Sequence, residues 1–400
     1  PGEPHAMTDT TQIHETYSLP YDGGVDADGH ILEPLDLWVN YIDPKFRDRA
    51  LRVEIDPDDK LEYLVVDNKR PFLSGKGMVS TLGAMGAPDL RAIQFDPENT
   101  YEKVRPFGTL DPKERLQVLD AENMKAAVIY TTVGLLWESD MTDVELTQAH
   151  CTAYNRWVTE FCAGGEGRLI ASAHVSLSDP QAAADELRRA VNAGARGCFV
   201  APFTHDAKPL GHPDHDPLFA ACQELDVPFA IHPTFEPQWT KGTRMGPWEY
   251  VRQLTLLPLI TASDGVRHQF ATLLDFGVLD RFPKLKVLVL ESGGSWAPYY
   301  FDRMDAVYAH TPVGARIKLK KLPSEYLAEQ IWISCDPDEK SIPHLVERFG
   351  DRFLWASDFP HPDHTPAYIL DLEANVKPLS EASRAKFLGG NATELFKIDV

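Results

Sequence analysis

Short apolar runs recur along the chain at 24–30, 126–131, 169–175, 197–200, 228–232, 287–291, 331–335 and 353–357. Each is continuous rather than alternating, and rich in Val, Ile, Leu and aromatic residues. Strands covered on both faces read this way, whereas a strand with one wet face alternates apolar and polar positions. Helical patterns lie between the runs. Asp179-Pro180 predicts a helix start, with aspartate as cap and proline in the first turn, and the helix over 181–192 ends at Gly194. Helices are also predicted over 217–225, 296–310 and 341–349. Eight strand–helix units in one chain predict an α/β fold of the (β/α)8, TIM-barrel type. An open doubly wound sheet would favour a glycine-rich phosphate loop after its first strand, and none follows 24–30.

The repeat breaks once. Residues 33–124 form a long insertion between the first and second barrel strands. It carries a hairpin-like segment, 52–55 and 63–66, around Asp56-Pro57-Asp58-Asp59. Gly75, Gly77, Gly83 and Gly86 are expected to mark a mobile loop. Because the insertion follows a strand, it is expected over the catalytic mouth of the barrel. Residues 1–23 are set aside as a cloning scar (Pro1 to Ala6, ahead of Met7) and an N-terminal arm. That leaves 24–400 as one barrel domain.

In such a barrel, catalytic side chains come from the carboxyl ends of several strands. The first strand ends Asp26-Ala27-Asp28-Gly29-His30, and Asp28 and His30, two apart, point to the same side. Glu33 opens the following loop. The fifth strand ends in His232, the sixth in Glu291, and the eighth in Asp358, within Ser357-Asp358-Phe359-Pro360-His361. A lone strand-end histidine is more often a hydrogen-bonded core residue, and an aspartate after serine is often a cap. Their joint occurrence is different. Carboxylates converging on one mouth repel one another, and a cation is the simplest remedy.

Composition narrows the function classes. Of 400 residues, 60 are acidic and 39 basic, a formal net charge of −21. So acidic a surface repels phosphate backbones and anionic lipid, which disfavours nucleic-acid and membrane partners. No apolar run is long enough to span a bilayer. Cys151, Cys162, Cys198, Cys222 and Cys335 are odd in number and scattered, as expected of reduced thiols in a cytoplasmic protein. The expected partner is a small-molecule substrate, and the expected assembly a homo- or hetero-oligomer.

These residues bring a family into view. From about Gly24 to Phe396 the chain resembles the amidohydrolase-related family of metal-dependent (β/α)8 enzymes, which includes aminocarboxymuconate semialdehyde decarboxylase and aromatic-acid decarboxylases. The markers are Asp26-Ala27-Asp28-Gly29-His30, Ile231-His232-Pro233 and Arg281-Phe282-Pro283-Lys284-Leu285-Lys286. Further markers are Glu291-Ser292-Gly293-Gly294-Ser295-Trp296, Ser357-Asp358-Phe359-Pro360-His361 and Gly389-Gly390-Asn391-Ala392. The resemblance implies a metal held by Asp28, His30, His232 and Asp358. It also exposes departures. The first-strand pair in the family is often His-x-His or begins with Glu, and its decarboxylases usually end the sixth strand in His, where Glu291 stands here. No lysine ends the fourth strand (Gly197-Cys198-Phe199-Val200-Ala201-Pro202), so the carbamylated bridging lysine of two-metal relatives is absent.

The candidate ligand set is therefore Asp28, His30, Glu33, His232, Glu291, Asp358 and His361. A shell so rich in carboxylate suits Mn or Fe as well as Zn. With four carboxylates, one divalent ion leaves a charge of about −2, so a second ion, bridged by Glu33 or Glu291, is expected to fit. His268, in a helical run after the fifth strand, is a candidate base or second-metal ligand. His174 is expected in the core or behind the ligands. The leading function is a metal-dependent hydrolase or non-oxidative decarboxylase of a small organic acid or amide. Asp358 would serve as general base, and Glu291 would assist or ligate. The alternative is a dinuclear Fe or Fe/Mn oxygenase, since the resemblance extends to a few members with such sites. A catalytically silent partner subunit is the third reading.

Overall fold

The coordinates are a computed structural model, which describes residues 16–71, 74–237, 240, 263–310, 312 and 319–399; Pro1 to Ala6 fall outside them. The barrel strands are β1 (Gly24–His30), β4 (Met124–Tyr130), β5 (Leu169–His174), β6 (Gly197–Val200), β7 (Phe229–Ile231), β8 (Val287–Val289), β9 (Ile331–Cys335) and β10 (Phe353–Trp355). β2 (Arg52–Ile55) and β3 (Glu62–Val65) form a separate antiparallel hairpin. The eight barrel strands follow one another in a single parallel sheet, β1-β4-β5-β6-β7-β8-β9-β10. Helices such as Pro180–Asn192 and Asp216–Leu225 connect them. The strands are buried on both faces, which explains their unbroken apolar runs. Asp179 caps its helix as expected, accepting the Gln181 and Ala182 amides.

Closure between β10 and β1 does not use a regular ladder. Past the end of β10, Asp358 N donates to Asp28 O at 3.0 Å and His30 N donates to Phe359 O at 2.7 Å. At the opposite end the C-terminal segment covers the join. Trp355 Nε1 donates to Leu388 O and Asn391 Nδ2 to Phe353 O, both at 2.8 Å. Gly389 lies so close that an added Cβ would fall 1.9 Å from Gly23 O.

β1 also carries a bulge. Asp26 pairs with Ala127 and Gly29 with Ile129, so β1 holds one residue more than its partner over that stretch. The predicted strands over 228–232, 287–291 and 353–357 end early, and their chemical residues stand just beyond the ladders. Glu291 (φ 42°) and Asp358 (φ 53°) are left-handed, a conformation that cannot continue a strand.

The insertion packs on the carboxyl ends of β1 and β10. Tyr101 donates its hydroxyl to Glu33 O at 3.0 Å, and Met85 N donates to Pro360 O at 3.2 Å. Of the four glycines expected to mark a mobile loop, Gly77, Gly83 and Gly86 mark close packing. A Cβ on Gly77 (φ 70°) would meet Gln94 O at 1.8 Å, and one on Gly83 would meet Leu32 Cδ1 at 2.6 Å. All five cysteines are buried and free. No helix among the described residues is long and apolar enough to cross a membrane.

The contact at Gly389 generates a stability prediction. Gly389→Ala must push the C-terminal segment off β1, an overpacking cost of about 1–3 kcal/mol. A lowered melting temperature is expected by circular dichroism; an unchanged one would mean that the segment does not clamp the barrel.

Candidate active site

The strand ends bring Asp28, His30, His232, Glu291 and Asp358 to one place. His30 Nε2 lies 3.4 Å from Asp28 Oδ1 and 3.2 Å from Asp358 Oδ1. His232 Nε2 lies 3.5 Å from Asp28 Oδ1, 3.2 Å from Glu291 Oε2 and 3.4 Å from His30 Nε2. Tyr130 and Phe199, both buried, pack against the His232 ring, and Tyr130 also reaches His30.

Both imidazoles are fixed from behind. His30 Nδ1 meets Thr131 O at 2.7 Å and His232 Nδ1 meets Pro233 O at 2.8 Å. A carbonyl can only accept, so Nδ1 carries the proton in each ring and Nε2 is turned into the cluster. This is how proteins commonly hold a metal-ligating histidine. The oxygens opposite are bare: Asp28 Oδ1 and Oδ2, Glu291 Oε2 and Asp358 Oδ2 are buried without a hydrogen-bond partner. Buried orphan oxygens are costly unless a cation or proton answers them. Ligands about 2.1 Å from a shared ion at a tetrahedral angle stand about 3.4 Å apart. The separations of 3.2–3.5 Å therefore fit a first-row divalent metal.

The electrostatics agree. Burial alone would lower His30, but Asp28 and Asp358 flank it and raise it to about 10. Burial pushes Asp28 and Asp358 up, yet His232 and His30 pull Asp28 below the ordinary carboxylate range, and His361 and His30 do the same to Asp358. Glu291 goes the other way. Burial, then the charges of Asp358 and Asp28, push its carboxyl well above the usual range.

Three sequence candidates sit differently. Glu33 does not join the cluster. Its carboxylate accepts the Thr131 hydroxyl and the amides of Thr132 (2.9 Å) and Val133 (3.0 Å), so both oxygens are committed to the loop after β4. His361 offers a ring nitrogen within 4.8 Å of the ligand atoms of His30 and Asp358, while its Nδ1 lies 2.8 Å from Asp358 Oδ1 and its Nε2 3.0 Å from Thr132 Oγ1. His268 is exposed on the helix Asp264–Asp275, its ring 6.3 Å from that of Phe203, and it is not brought to the ligands. His174 pairs with buried Glu138 at 2.9 Å and stacks on Phe199, in the core as expected. Asp363 was not anticipated: it offers an oxygen within 4.8 Å of those of Glu291 and Asp358. Its only signal was its place two residues after His361, inside an unremarkable loop.

A parallel eight-stranded barrel with imidazoles and carboxylates converging at its carboxyl ends defines a metal-dependent barrel enzyme. The chain belongs to the amidohydrolase family, whose model, described as Amidohydrolase, matches residues 25–398. It is 29% identical to a gamma-resorcylate decarboxylase of Rhizobium radiobacter over 297 residues, covering 71% of this chain and 86% of that one. Its fold superposes on an amidohydrolase from Mycobacterium avium subsp. paratuberculosis with a TM-score of 0.76 at 23% identity, over 94% of this chain and 99% of that one. It also matches the manganese-bound 5-carboxyvanillate decarboxylase of Novosphingobium aromaticivorans, with a TM-score of 0.69 at 20% identity over 94% and 97% of the two chains. The chain is thus an amidohydrolase-superfamily enzyme of the hydrolase and decarboxylase kind. Nothing in these relatives supports the oxygenase alternative.

The raised His30 sets a pH dependence. A metal must displace the proton that His30 holds below pH 10 or so, so metal affinity should climb as pH rises from 6 to 9. Calorimetry in buffers of different ionisation enthalpy should show about one proton released per ion at pH 7. Binding without proton release would exclude His30 as a ligand.

Proposed function

We propose that this enzyme is a non-oxidative decarboxylase of hydroxylated aromatic acids, with a single manganese ion held by Asp28, His30, His232 and Asp358. The observation that carries the reading is the set of orphaned, buried oxygens facing two imidazoles whose Nδ1 atoms are tied to carbonyls. The activities of the relatives supply the substrate class, and the neighbour's manganese supplies the metal. Glu291, Asp358 and Asp363 offer a second ion a position if two are taken up. Residues 33–124 frame the mouth. The enzyme works as a homo- or hetero-oligomer in the cytoplasm, where its five buried thiols stay reduced.

Bound in this cluster, the ion would polarise the oxygens of the substrate's carboxylate and neighbouring hydroxyl. The chain supplies the proton chemistry. Glu291, kept protonated by burial and by its carboxylate neighbours, is the acid. Its proton goes to the ring carbon that bears the carboxylate. The bond from that carbon to the carboxylate then breaks, carbon dioxide leaves, and the bonding electrons return to the ring to give the arene. Asp358, held ionised by His361 and His30, is the base that takes up the phenolic proton and returns it to the product phenolate, and Glu291 regains its proton from solvent. The same pair of carboxyl groups thus serves two roles because their surroundings push them apart.

Manganese-loaded protein should release one carbon dioxide per arene formed from 2,6-dihydroxybenzoate or a related hydroxybenzoate. Glu291→Gln should keep manganese but lose about 10²–10⁴-fold in kcat. Because the protonated form is the active one, wild-type activity should fall as pH rises through the elevated Glu291 value. Activity that rises there, or that appears only on amides without carbon dioxide, would refute the assignment.

A further inference from the structure

The ligands Asp28 and His30 stand on β1 and Asp358 just past β10, the two strands that close the barrel. On the outer face of that join lies a buried polar group that touches no ligand side chain. Asp26 Oδ1 accepts Ser357 N at 2.9 Å and Asp26 Oδ2 accepts the Ser357 hydroxyl at 2.6 Å. The Ser357 oxygen in turn accepts Phe359 N at 3.0 Å. Arg115, only 2% exposed, donates from Nη1 to His30 O at 3.1 Å, and its guanidinium lies 4.6 Å from the Phe359 ring centre.

The bulge makes this possible. With a strict period of two, Asp26 would share the inner face with Asp28. The extra residue in β1 instead turns Asp26 outward. A Cβ on Gly29 would point out of the barrel and meet Arg115 Nη2 at 2.6 Å and Asp26 Oδ2 at 2.7 Å. Gly29 therefore marks where Asp26 and Arg115 come together behind the site.

We infer that Asp26, Ser357 and Arg115 are positioning residues: a bracket behind the closing seam that sets the spacing between Asp28 and His30 on one strand and Asp358 on the other. Each bond lands on a ligand's own backbone or within two residues of it. Ser357 precedes Asp358, Phe359 follows it, and Arg115 holds the carbonyl of His30 itself. Pulling any of them away lets the two ligand-bearing segments move relative to each other, although no ligand is altered. The inference rests on the metal centre proposed above.

The test titrates Mn²⁺ into metal-stripped full-length protein and follows free and bound ion by electron paramagnetic resonance. Ser357→Ala and Asp26→Asn should each weaken Mn²⁺ binding by about tenfold, the low end of what outer hydrogen-bond partners of ligands contribute. Their bound-ion spectra should also change shape. Ser357→Thr, which keeps the hydroxyl, should restore both. Gly389→Ala loosens the same seam at its far end and serves as the structural control: its melting temperature should fall while its Mn²⁺ affinity stays at the wild-type value. If Asp26→Asn does not fold, Arg115→Lys takes its place with the same expectation. Wild-type affinity in the bracket variants, or an equal loss in Gly389→Ala, overturns the bracket and leaves the metal centre standing. Wild-type protein that takes up no Mn²⁺ overturns the metal centre and the bracket with it.

Discussion

A barrel must close, and here the closing join is also where the chemistry is assembled. Seven neighbour pairs in the sheet are held by parallel ladders, but β10 and β1 are joined by bonds made past the end of β10 and by side chains. Without that join Asp28 and His30 would belong to one free edge and Asp358 to the other. The C-terminal segment covers the join from one end and the insertion packs on the other, at Pro360 and Glu33. The requirement that first and last strands meet thus explains features as distant as Gly389 and Met85.

The second constraint is charge. Carboxylates and imidazoles are drawn together so tightly that their protonation states are set by one another rather than by solvent. One carboxyl is driven up and two are driven down: burial and the charges of Asp358 and Asp28 raise Glu291, while pairs of imidazoles pull Asp28 and Asp358 down. Glu291 has one imidazole, His232, at 3.2 Å, whereas Asp358 is gripped by two, His30 at 3.2 Å and His361 at 2.8 Å. A net charge of −21 over the whole chain has little bearing on this. The local arrangement decides, because charges in a dry mouth act over a few ångströms at low dielectric.

Much of this was legible in the chain. Short unbroken apolar runs alternating with helical patterns read as strands with both faces covered, so the barrel and the ends of its strands followed, and with them the convergence of Asp28, His30, His232, Glu291 and Asp358. What period-two reasoning could not see was a bulge. Asp26 and Asp28 look alike in sequence and face opposite ways, because one inserted residue reverses the alternation. Glu33 was misplaced for a related reason: beyond a strand end no period applies, and the bare amides of residues 132 and 133 compete for a carboxylate as well as a metal does. Gly77, Gly83 and Gly86 were misread because glycine serves close approach as readily as motion, and only the neighbours tell which. His268 lay on a helix whose rotation the sequence did not fix.

The meeting of first and last strands also places the enzyme's birth in time. A ribosome delivers Asp28 and His30 hundreds of residues before Asp358, and the segment that seals the join comes later still. Until the helix Asn391–Phe396 has cleared the exit tunnel, the nascent chain carries Asp28 and His30 on an unpaired strand edge, exposed to stray partners. Closure of the barrel, and with it the meeting of Asp28 and His30 with Asp358, is thereby deferred until the segment that covers the join has been made, so that a chain cut short before it leaves the β1 edge open.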